Sequence, residues 1–291
     1  MNVEIRIPMK SDFIALERIH MEATGNFDNT TERKNFHRYI QLNYRLIRIA
    51  VLKSEIIGYT LGYQVSSRKI RIYSIFVLPQ FQRKQIGWKL INSFEEDLLS
   101  LFPDLRYLSV RIPQEFFNSI PFFENLGFKH ISKITNYETE DLSFPFQPNP
   151  NILIRPLKYN EKDFLNLTNL EKQCFPEYWQ MDKIEFKRLL ESEITSFFLA
   201  FKDEHLVGYN YNTLSASKPE GHYVRIATHP KFRQKYIATS LTAMAFQWFK
   251  KHQVTRVLLS TYADSPVHNR LYQKWGFKAV GQEIIMAKQY F

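Results

Sequence analysis

A basic loop between a predicted strand and a predicted helix holds the residues of this sequence that are most suited to chemistry. Val224 to Thr228 is apolar and β-branched, which predicts a buried strand, and His229-Pro230 ends it. Apolar residues then recur at helical spacing from Ile237. The first turn of a helix presents unpaired backbone N–H groups at the positive end of the helix dipole. The sequence therefore predicts an anion-binding loop over 233–238, suited to a phosphate or diphosphate.

The first half of the chain carries a second copy of this loop. A strand-like run ends at Val77, and the residues that follow it occupy the places of Arg233 to Ala238. They are Gln82, Arg83, Lys84, Gln85, Ile86 and Gly87. Each copy is followed about 40 residues later by a Gly-Phe pair, which makes the double occurrence a much stronger signal than one loop.

Three further marks repeat at nearly constant spacing. Ile57-Gly58-Tyr59 returns as Val207-Gly208-Tyr209 at an offset of 150, and Gly127-Phe128 returns as Gly276-Phe277 at 149. The end of the strand at Val77 returns at Thr228, at an offset of 151. The chain is therefore predicted to be a tandem duplication of a domain of ordinary size.

Proline marks the predicted boundary between the two copies. Residues 141–151 read DLSFPFQPNPN, whose three prolines favour an extended connector. We predict one domain over residues 1–142, a linker over 143–151 and a second domain over 152–291. Within each copy, strand-like and helix-like segments alternate, which indicates an α/β fold with a mixed sheet and helices on its faces.

Two segments resemble the GNAT superfamily of acyl-CoA-dependent N-acyltransferases. The loop from Arg233 to Ala238 resembles its motif Arg/Gln-x-x-Gly-x-Gly/Ala, with Tyr236, like Gln85 in the first copy, at the position of the usual glycine. The segment NRLYQKWGF, ending at Phe277, resembles the family's L-Y-E-K-L-G-F. The resemblance implies two tandem GNAT-like domains, as in mycothiol synthase, each with a mostly antiparallel mixed sheet. The second half is also similar to ribosomal-protein amino-terminal acetyltransferases.

The resemblance implies an N-acetyltransferase that uses acetyl-CoA and a small-molecule or peptide amine. In the second half, Tyr272 matches the family tyrosine that protonates the departing thiolate. In the first half, Phe123 stands at this position, so the first half is predicted to be catalytically weak. The implied cofactor-binding residues are, in the second half, Ile226, Ala227, Thr228, Arg233, Gln234, Lys235, Tyr236, Ile237, Ala238 and Thr239, and, in the first, Val77, Gln82, Arg83, Lys84, Gln85, Ile86 and Gly87.

The general base is left open between two residues. Ser260 stands where related enzymes carry a glutamate base, and a serine cannot take that role. His222, beside the predicted strand, and Asp264, after the penultimate strand, are the candidates, each acting through water. Glu171 and Trp179 are interpreted as a helix-face residue and a packing residue.

Composition limits the other classes of function. The chain has no apolar run near the roughly 20 residues that span a membrane and no signal-peptide pattern, and its single cysteine, Cys174, predicts a cytoplasmic protein. No metal-ligand spacing is present, so no metal is expected. The net charge of +10 suits anionic ligands, but the charges are scattered, so nucleic-acid binding is a weaker alternative. A non-catalytic acyl-CoA-binding or regulatory module is the other alternative.

Overall fold

The computed structural model describes residues 2–25, 30–158, 160–190, 194–215 and 219–290. They form two compact units, the first comprising Met1–Ile131 with Ile285–Phe291 and the second comprising Ser132–Ile284. Each unit is a mixed sheet with helices packed on it, which confirms the predicted fold class.

The first unit is built from a mostly antiparallel sheet. Its strands are β1 (Glu4–Arg6), β2 (Ile47–Leu52), β3 (Glu55–Ser66), β4 (Lys69–Val77) and β5 (Tyr107–Pro113). They lie side by side in this order, with β4 and β5 parallel and the other pairs antiparallel. Its helices are α1 (Phe13–Thr24), α2 (Thr30–Asn43), α3 (Ile86–Leu101) and α4 (Ile120–Asn125).

The second unit repeats this plan. The chain enters it within β6 (Lys129–Thr139), and the following strands are β7 (Leu153–Pro156), β8 (Thr195–Lys202), β9 (His205–Leu214), β10 (Glu220–Thr228), β11 (Arg256–Tyr262) and β12 (Lys278–Gln289). The sheet order is β6-β11-β10-β9-β8-β7, and β10 and β11 are its parallel pair. The helices are α5 (Glu161–Cys174), α6 (Lys183–Leu190), α7 (Ile237–Lys251) and α8 (Pro266–Lys274).

The compact units divide the chain at other places than the sequence repeat does. The predicted cut lies at 142, whereas the second unit begins at Ser132 and the last residues of the chain, from Ile285, belong to the first unit. The physical reason in the second unit is strand pairing, because Ile134 to Thr139 of β6 pair antiparallel with β11. The boundary at residue 142 therefore remains a prediction, based on the repeat in the sequence.

The proline-containing segment 141–151 forms no helix or strand, ends in a turn closed by a hydrogen bond from Ile152 N to the Asn149 carbonyl oxygen, and packs within the second unit. The Phe144 ring lies 5.0 Å from that of Phe246 and 5.4 Å from that of Trp275, between centroids. Leu142 and Phe146 pack against the same core. The segment is thus fixed by burial of its aromatic residues as well as by its prolines.

Helices cover both faces of the second sheet. Side chains of α5 and α6 pack on one face, with Phe164, Leu167 and Phe186 fully or almost fully buried against β8 and β9. Side chains of α7, including Ile237 and Leu241, pack on the opposite face. The amphipathic spacing predicted for α7 therefore matches the face that it buries.

A glycine permits the close packing beside the predicted loop. A Cβ atom on Gly208 of β9 would lie 2.8 Å from the carbonyl oxygen of Ala227 and 2.9 Å from Ile237 Cγ2. Gly58 of the first unit makes the corresponding approach to its neighbouring strand, where a Cβ would lie 2.8 Å from the carbonyl oxygen of Phe76 and 3.1 Å from Val77 Cγ2. The glycine thus lets the neighbouring strand approach closely in each unit, and in the second unit it also admits the start of α7.

Candidate functional site: a strand opening and a helix start

The parallel strands of the second unit separate part of the way along their length. The pairing of β10 with β11 covers Glu220 to Tyr223 and stops there, although β10 continues to Thr228 and β11 to Tyr262. On its other side β10 remains paired with β9 as far as Thr228. In the described part of this unit, the β11-facing edge of β10 beyond Tyr223 thus carries backbone groups without a strand partner, including those of the predicted residues Ile226, Ala227 and Thr228.

The predicted anion-binding loop lies directly after this edge. A 3-10 turn over Pro230–Phe232 follows β10, and α7 begins at Ile237. Gln234 and Tyr236 have left-handed backbone conformations, with φ of 62° at both. Tyr236 occupies the N-cap position without a side-chain cap, so the first N–H groups of α7 are available to a ligand.

This conformation explains how the loop manages without its usual glycine. Left-handed backbone favours glycine because a side chain adds about 1–2 kcal/mol of strain there. Tyr236 adopts it with its side chain 69% exposed, and Arg233, Gln234 and Lys235 are exposed as well. Tyr236 thus adopts the backbone conformation that glycine favours, with its side chain largely in solvent.

Two observations test whether these residues suit acetyl-CoA. The Oγ1 atom of Thr228 is buried and has no hydrogen-bond partner within the described residues, although it lies at the end of the open strand edge. Ala238 and Thr239, at the start of α7, are half-buried and small, so they leave room for a diphosphate beside the helix N-terminus. An unpaired hydroxyl, free amides and an adjacent cationic loop fit a ligand with amide and phosphate groups.

The first unit has the same backbone arrangement. Its β4 pairs with β5 over Lys69 to Ile72 and then continues alone to Val77. Arg83 and Gln85 are left-handed, with φ of 59° and 60°, and α3 begins at the buried Ile86 with the small Gly87 next.

The side chains of the first loop differ from those of the second. Val77 stands where the second unit has Thr228, so the buried hydroxyl is missing. The Gln82 side chain donates a hydrogen bond of 2.9 Å to the Val77 carbonyl oxygen. Lys84 donates to the Gln80 carbonyl oxygen at 3.0 Å. Two of the polar side chains that we predicted to bind a cofactor are therefore engaged with their own loop.

Tyr272 lies in an aromatic core. It is 7% exposed on α8, and its ring centroid lies 5.7–6.5 Å from those of Tyr137, Tyr223, Trp275 and Phe277. Its hydroxyl makes no hydrogen bond with any described residue, yet it is not fully enclosed. Burial raises the pKa of its phenol, which keeps it protonated and able to donate. The corresponding Phe123 of the first unit is 3% exposed and packs edge-on against Phe128.

The structure does not bring His222 and Tyr272 together. Tyr223 packs with Tyr272 and α7, and because successive side chains of a strand alternate, His222 points to the opposite face. Its half-buried imidazole has a pKa lowered by burial, with Glu220 opposing that shift, so it is neutral at neutral pH. Asp264 is exposed in the turn between β11 and α8.

Glu171 lies on α5, as the sequence interpretation placed it, and its side chain is buried in an ion pair. Glu171 is fully buried and forms an ion pair with Arg225, whose Nη2 lies 2.6 Å from Oε2. The carboxylate also accepts hydrogen bonds from the Tyr209 hydroxyl and from the Met181 backbone N–H. Arg225 donates to the Trp179 carbonyl oxygen, so the pair fastens the connection between α5 and α6 to β10.

A neutral network occupies the same three positions of the first unit. At offsets of 151, 150 and 151, His20 corresponds to Glu171, Tyr59 to Tyr209 and Ser74 to Arg225. The His20 Nδ1 lies 2.8 Å from the Tyr59 hydroxyl, which lies 3.3 Å from Ser74 Oγ. The repeat offset aligns these positions along the sequence, but it does not show that their side chains meet.

Cys174 is a free, half-buried cysteine, and burial raises the pKa of its thiol to about 11, so it is protonated and a poor nucleophile at neutral pH. In the described residues, His, Cys, Asp and Glu side chains form no group able to hold a metal ion. Nor does the described part of the chain contain a helix with the length and apolarity needed to cross a membrane.

The chain is similar to a GCN5-related N-acetyltransferase from Sphaerobacter thermophilus (18% identity, TM-score 0.70, 99% of this chain and 95% of that one). It is also similar to a tandem GNAT protein from the clavulanic acid biosynthesis pathway (13%, 0.68, 99% and 98%). A third similar structure is a putative acetyltransferase from Pyrococcus horikoshii (13%, 0.61, 99% and 90%). At these identities the likeness establishes the fold.

The family itself is established by sequence. No curated protein matches the chain as a relative. The acetyltransferase (GNAT) family, however, matches it twice, over residues 13–128 and 164–277, which together cover most of the sequence and reproduce the predicted repeat. The chain therefore belongs to the acetyltransferase (GNAT) family and contains two tandem copies of its domain.

Proposed function

We propose that the second unit is an N-acetyltransferase of the cytoplasm that moves an acetyl group from acetyl-CoA to an amine of a small molecule or peptide. The observation that carries this proposal is the open edge of β10 leading into the uncapped start of α7. These two features place unpaired backbone N–H groups next to a cationic loop, as an acyl-CoA ligand requires.

The residues of the second unit divide the chemistry between them. When bound, acetyl-CoA supplies a thioester whose carbonyl carbon an amine can attack, so that a C–N bond forms and the C–S bond breaks. Backbone N–H groups of Ile226 to Thr228 would polarise the carbonyl oxygen, which typically contributes a few kcal/mol to catalysis. The loop from Arg233 to Ala238 would bind the diphosphate. Tyr272 would donate its phenolic proton to the departing thiolate.

The proton of the attacking amine needs an acceptor. His222 is neutral at neutral pH and can take a proton through water, and the exposed Asp264 is the alternative. Because His222 faces away from Tyr272, the two groups would act on different sides of β10, the base toward the amine and the tyrosine toward the thiolate.

The first unit is proposed to be a weaker catalyst that still holds acyl-CoA. Its left-handed loop and Gly87 preserve the backbone part of the site. Phe123 cannot donate a proton, and Val77 lacks the hydroxyl of Thr228. The first unit thus keeps the groups for binding and lacks those for proton transfer.

A non-catalytic acyl-CoA-binding module is the second candidate function. The packing of Tyr272 among aromatic rings favours it, since such packing alone is a sufficient role for a tyrosine. The experiment that separates the two functions measures acetyl-CoA binding by calorimetry and thiol release with a panel of amines. Binding without acetylation of any amine would support the binding module.

Three variants sharpen this experiment. Ala238→Glu puts a carboxylate beside the diphosphate site and should abolish acetyl-CoA binding to the second unit. Its matched control is Gly87→Glu, which should leave amine acetylation unchanged if the second unit is the active one. Tyr272→Phe, which installs the residue of the first unit, should lower kcat about 100-fold with an unchanged Kd for acetyl-CoA. An unchanged kcat would show that Tyr272 is a packing residue.

A further inference from the structure

Arg225 of β10 has one guanidinium nitrogen that its protein partners leave unused. The Nε atom lies 2.7 Å from the Tyr209 hydroxyl oxygen, and Nη2 donates to Glu171 and to the Trp179 carbonyl oxygen. Nη1 has no hydrogen-bond partner within the described residues, and it is not fully buried although the side chain is only 15% exposed. Two N–H donors in a fixed plane are therefore without a protein partner and retain some exposed surface.

The orientation of this guanidinium is fixed by packing. Its Cζ atom lies 3.8 Å from the centroid of the Phe175 ring, a cation–π contact on one side of the plane. The bonds to Glu171 and Tyr209 hold its edge. A group held on its face and its edge loses little conformational entropy when it binds a ligand, so its free donors are preorganised.

Tyr262 supplies a second unused polar group at the end of β11. Its ring stands edge-on to Trp179 at 5.3 Å between centroids, and the Trp179 backbone carbonyl is the one that Arg225 binds. The Tyr262 hydroxyl has no partner in the described part of the chain and is not fully enclosed. Burial raises the pKa of Tyr262 to about 12, and the charge of Arg225 opposes that rise, as expected for groups that lie near each other.

These two groups stand where the strands have separated. Arg225 is two residues beyond Tyr223, the last residue of β10 paired with β11, and it immediately precedes the predicted acetyl-binding residues Ile226 to Thr228. It lies on the face covered by α5 and α6, opposite α7 and its anion-binding start. With the cofactor at the start of α7, as proposed above, a donor set on the α5–α6 face would be left for the acceptor substrate.

Charge balance decides which chemical group would fit. The Arg225 cation is already neutralised by the buried Glu171 carboxylate, so an incoming carboxylate gains little net ionic attraction. The donors of Nη1 and of the Tyr262 hydroxyl still require an oxygen acceptor. A neutral carbonyl oxygen satisfies them without adding a charge to a largely buried site.

We propose that Arg225 Nη1 and the Tyr262 hydroxyl form an acceptor subsite that binds a carbonyl oxygen next to the substrate amine, as in an amino-acid amide or a peptide amino terminus. The walls of this subsite are Phe175 and Trp179. The inference rests on the proposed acetyltransferase function of the second unit. It narrows the acceptor to amines that carry a carbonyl on the neighbouring carbon.

The test compares glycinamide with ethylamine as acceptors for the full-length protein. Glu171→His with Arg225→Ser installs the neutral network of the first unit and removes the Nη1 donors without leaving a buried charge unpaired. We expect the KM for glycinamide to rise about 10-fold or more, while the KM values for ethylamine and acetyl-CoA change less than about 2-fold. Tyr262→Phe, which removes one hydroxyl, should raise the glycinamide KM about 3-fold to 10-fold.

Several outcomes would overturn the proposal. An unchanged glycinamide KM in both variants would show that neither group binds the acceptor. Equal shifts for glycinamide and ethylamine would assign Arg225 a purely structural role. Glycine bound more than about 10-fold better than glycinamide would show that the subsite selects a carboxylate, contrary to the charge argument. Triglycine amide serves as the peptide arm, and a KM below that of glycinamide would support a peptide amino terminus as the source of the carbonyl.

A binding measurement separates this proposal from the proposed reaction. Glycinamide and ethylamine are titrated by NMR into the protein saturated with coenzyme A. Weaker glycinamide binding in the double variant would support the subsite even where no amine is acetylated, and that case would count against the proposed function alone. Failure of glycinamide to bind the wild-type protein would overturn the subsite.

Discussion

Replacing Arg225 with serine tests the electrostatic account of the second unit. Glu171 is fully buried, and Arg225 approaches its two carboxylate oxygens at 2.6 and 3.3 Å. Removing one partner of a buried ion pair leaves the other charge uncompensated, which costs about 3–5 kcal/mol. We therefore expect Arg225→Ser to lower the free energy of unfolding of the second unit by that amount.

The first unit supplies the compensating change. There the same positions hold His20, Tyr59 and Ser74, which pack without a buried charge pair. Adding Glu171→His to Arg225→Ser removes the unpaired carboxylate and leaves the cost of repacking, about 1–2 kcal/mol. The double variant should thus be more stable than the Arg225→Ser single variant by about 2–3 kcal/mol.

Hydrogen exchange is the suitable assay because it reports each unit separately. Peptides covering α5 and β10 should exchange faster in Arg225→Ser and recover most of their protection in the double variant. Peptides from α3 and β4 of the first unit serve as the internal control. Equal loss of protection in the single and double variants would refute the reasoning, because the cost would then come from lost packing on Phe175 and not from an unpaired charge.

Three other predictions follow from single residues. Thr228→Val removes a buried, unpaired hydroxyl and should stabilise the protein by about 1 kcal/mol in thermal unfolding while weakening acetyl-CoA binding about 5-fold in calorimetry. Tyr236→Gly relieves a left-handed residue that is 69% exposed, so Tm should rise by the equivalent of about 0.5–1 kcal/mol with acetyl-CoA affinity retained. Burial lowers the pKa of His20 to about 4, below the value near 6.5 in the unfolded chain, so the first unit should lose stability as pH falls from 6.5 toward 4. The variant His20→Asn should flatten this pH dependence, which unfolding measured at several pH values would show.

The sequence was sufficient for the features that depend on short-range patterns. Apolar spacing predicted a helix from Ile237, and α7 begins there; the β-branched run to Thr228 is the second half of β10. The repeat offsets predicted two related domains, and the family matches the chain at two ranges that begin 151 residues apart, at 13 and 164. Each of these signals lies within a few turns of chain or repeats along it, so a single sequence contains it.

Contacts between residues that are distant in the sequence could not be predicted from it. Helical spacing places Glu171 on α5 but does not show that Arg225, 54 residues later, lies opposite it, and an unpaired glutamate is normally expected to be exposed. Likewise, the repeat in sequence does not say which sheet β6 joins. Its pairing with β11 is a matter of register and packing over more than 100 residues of separation.

The two units share the backbone conformation of the anion-binding loop and differ in their buried network of three polar residues. Left-handed residues stand at corresponding places in both loops, Arg83 with Gln234 and Gln85 with Tyr236, although each costs about 1 kcal/mol or more without glycine. A strained path present twice with unlike side chains indicates that the direction of the backbone amides matters more than the residues that carry them. The buried network of three polar residues, by contrast, is ionic in the second unit and neutral in the first.

We infer that the two domains share a donor ligand and differ in the acceptor that each can hold. Acetyl-CoA should then bind both units, and Gly87→Glu should remove one of two binding events in calorimetry; a single event in the wild-type protein would contradict this inference.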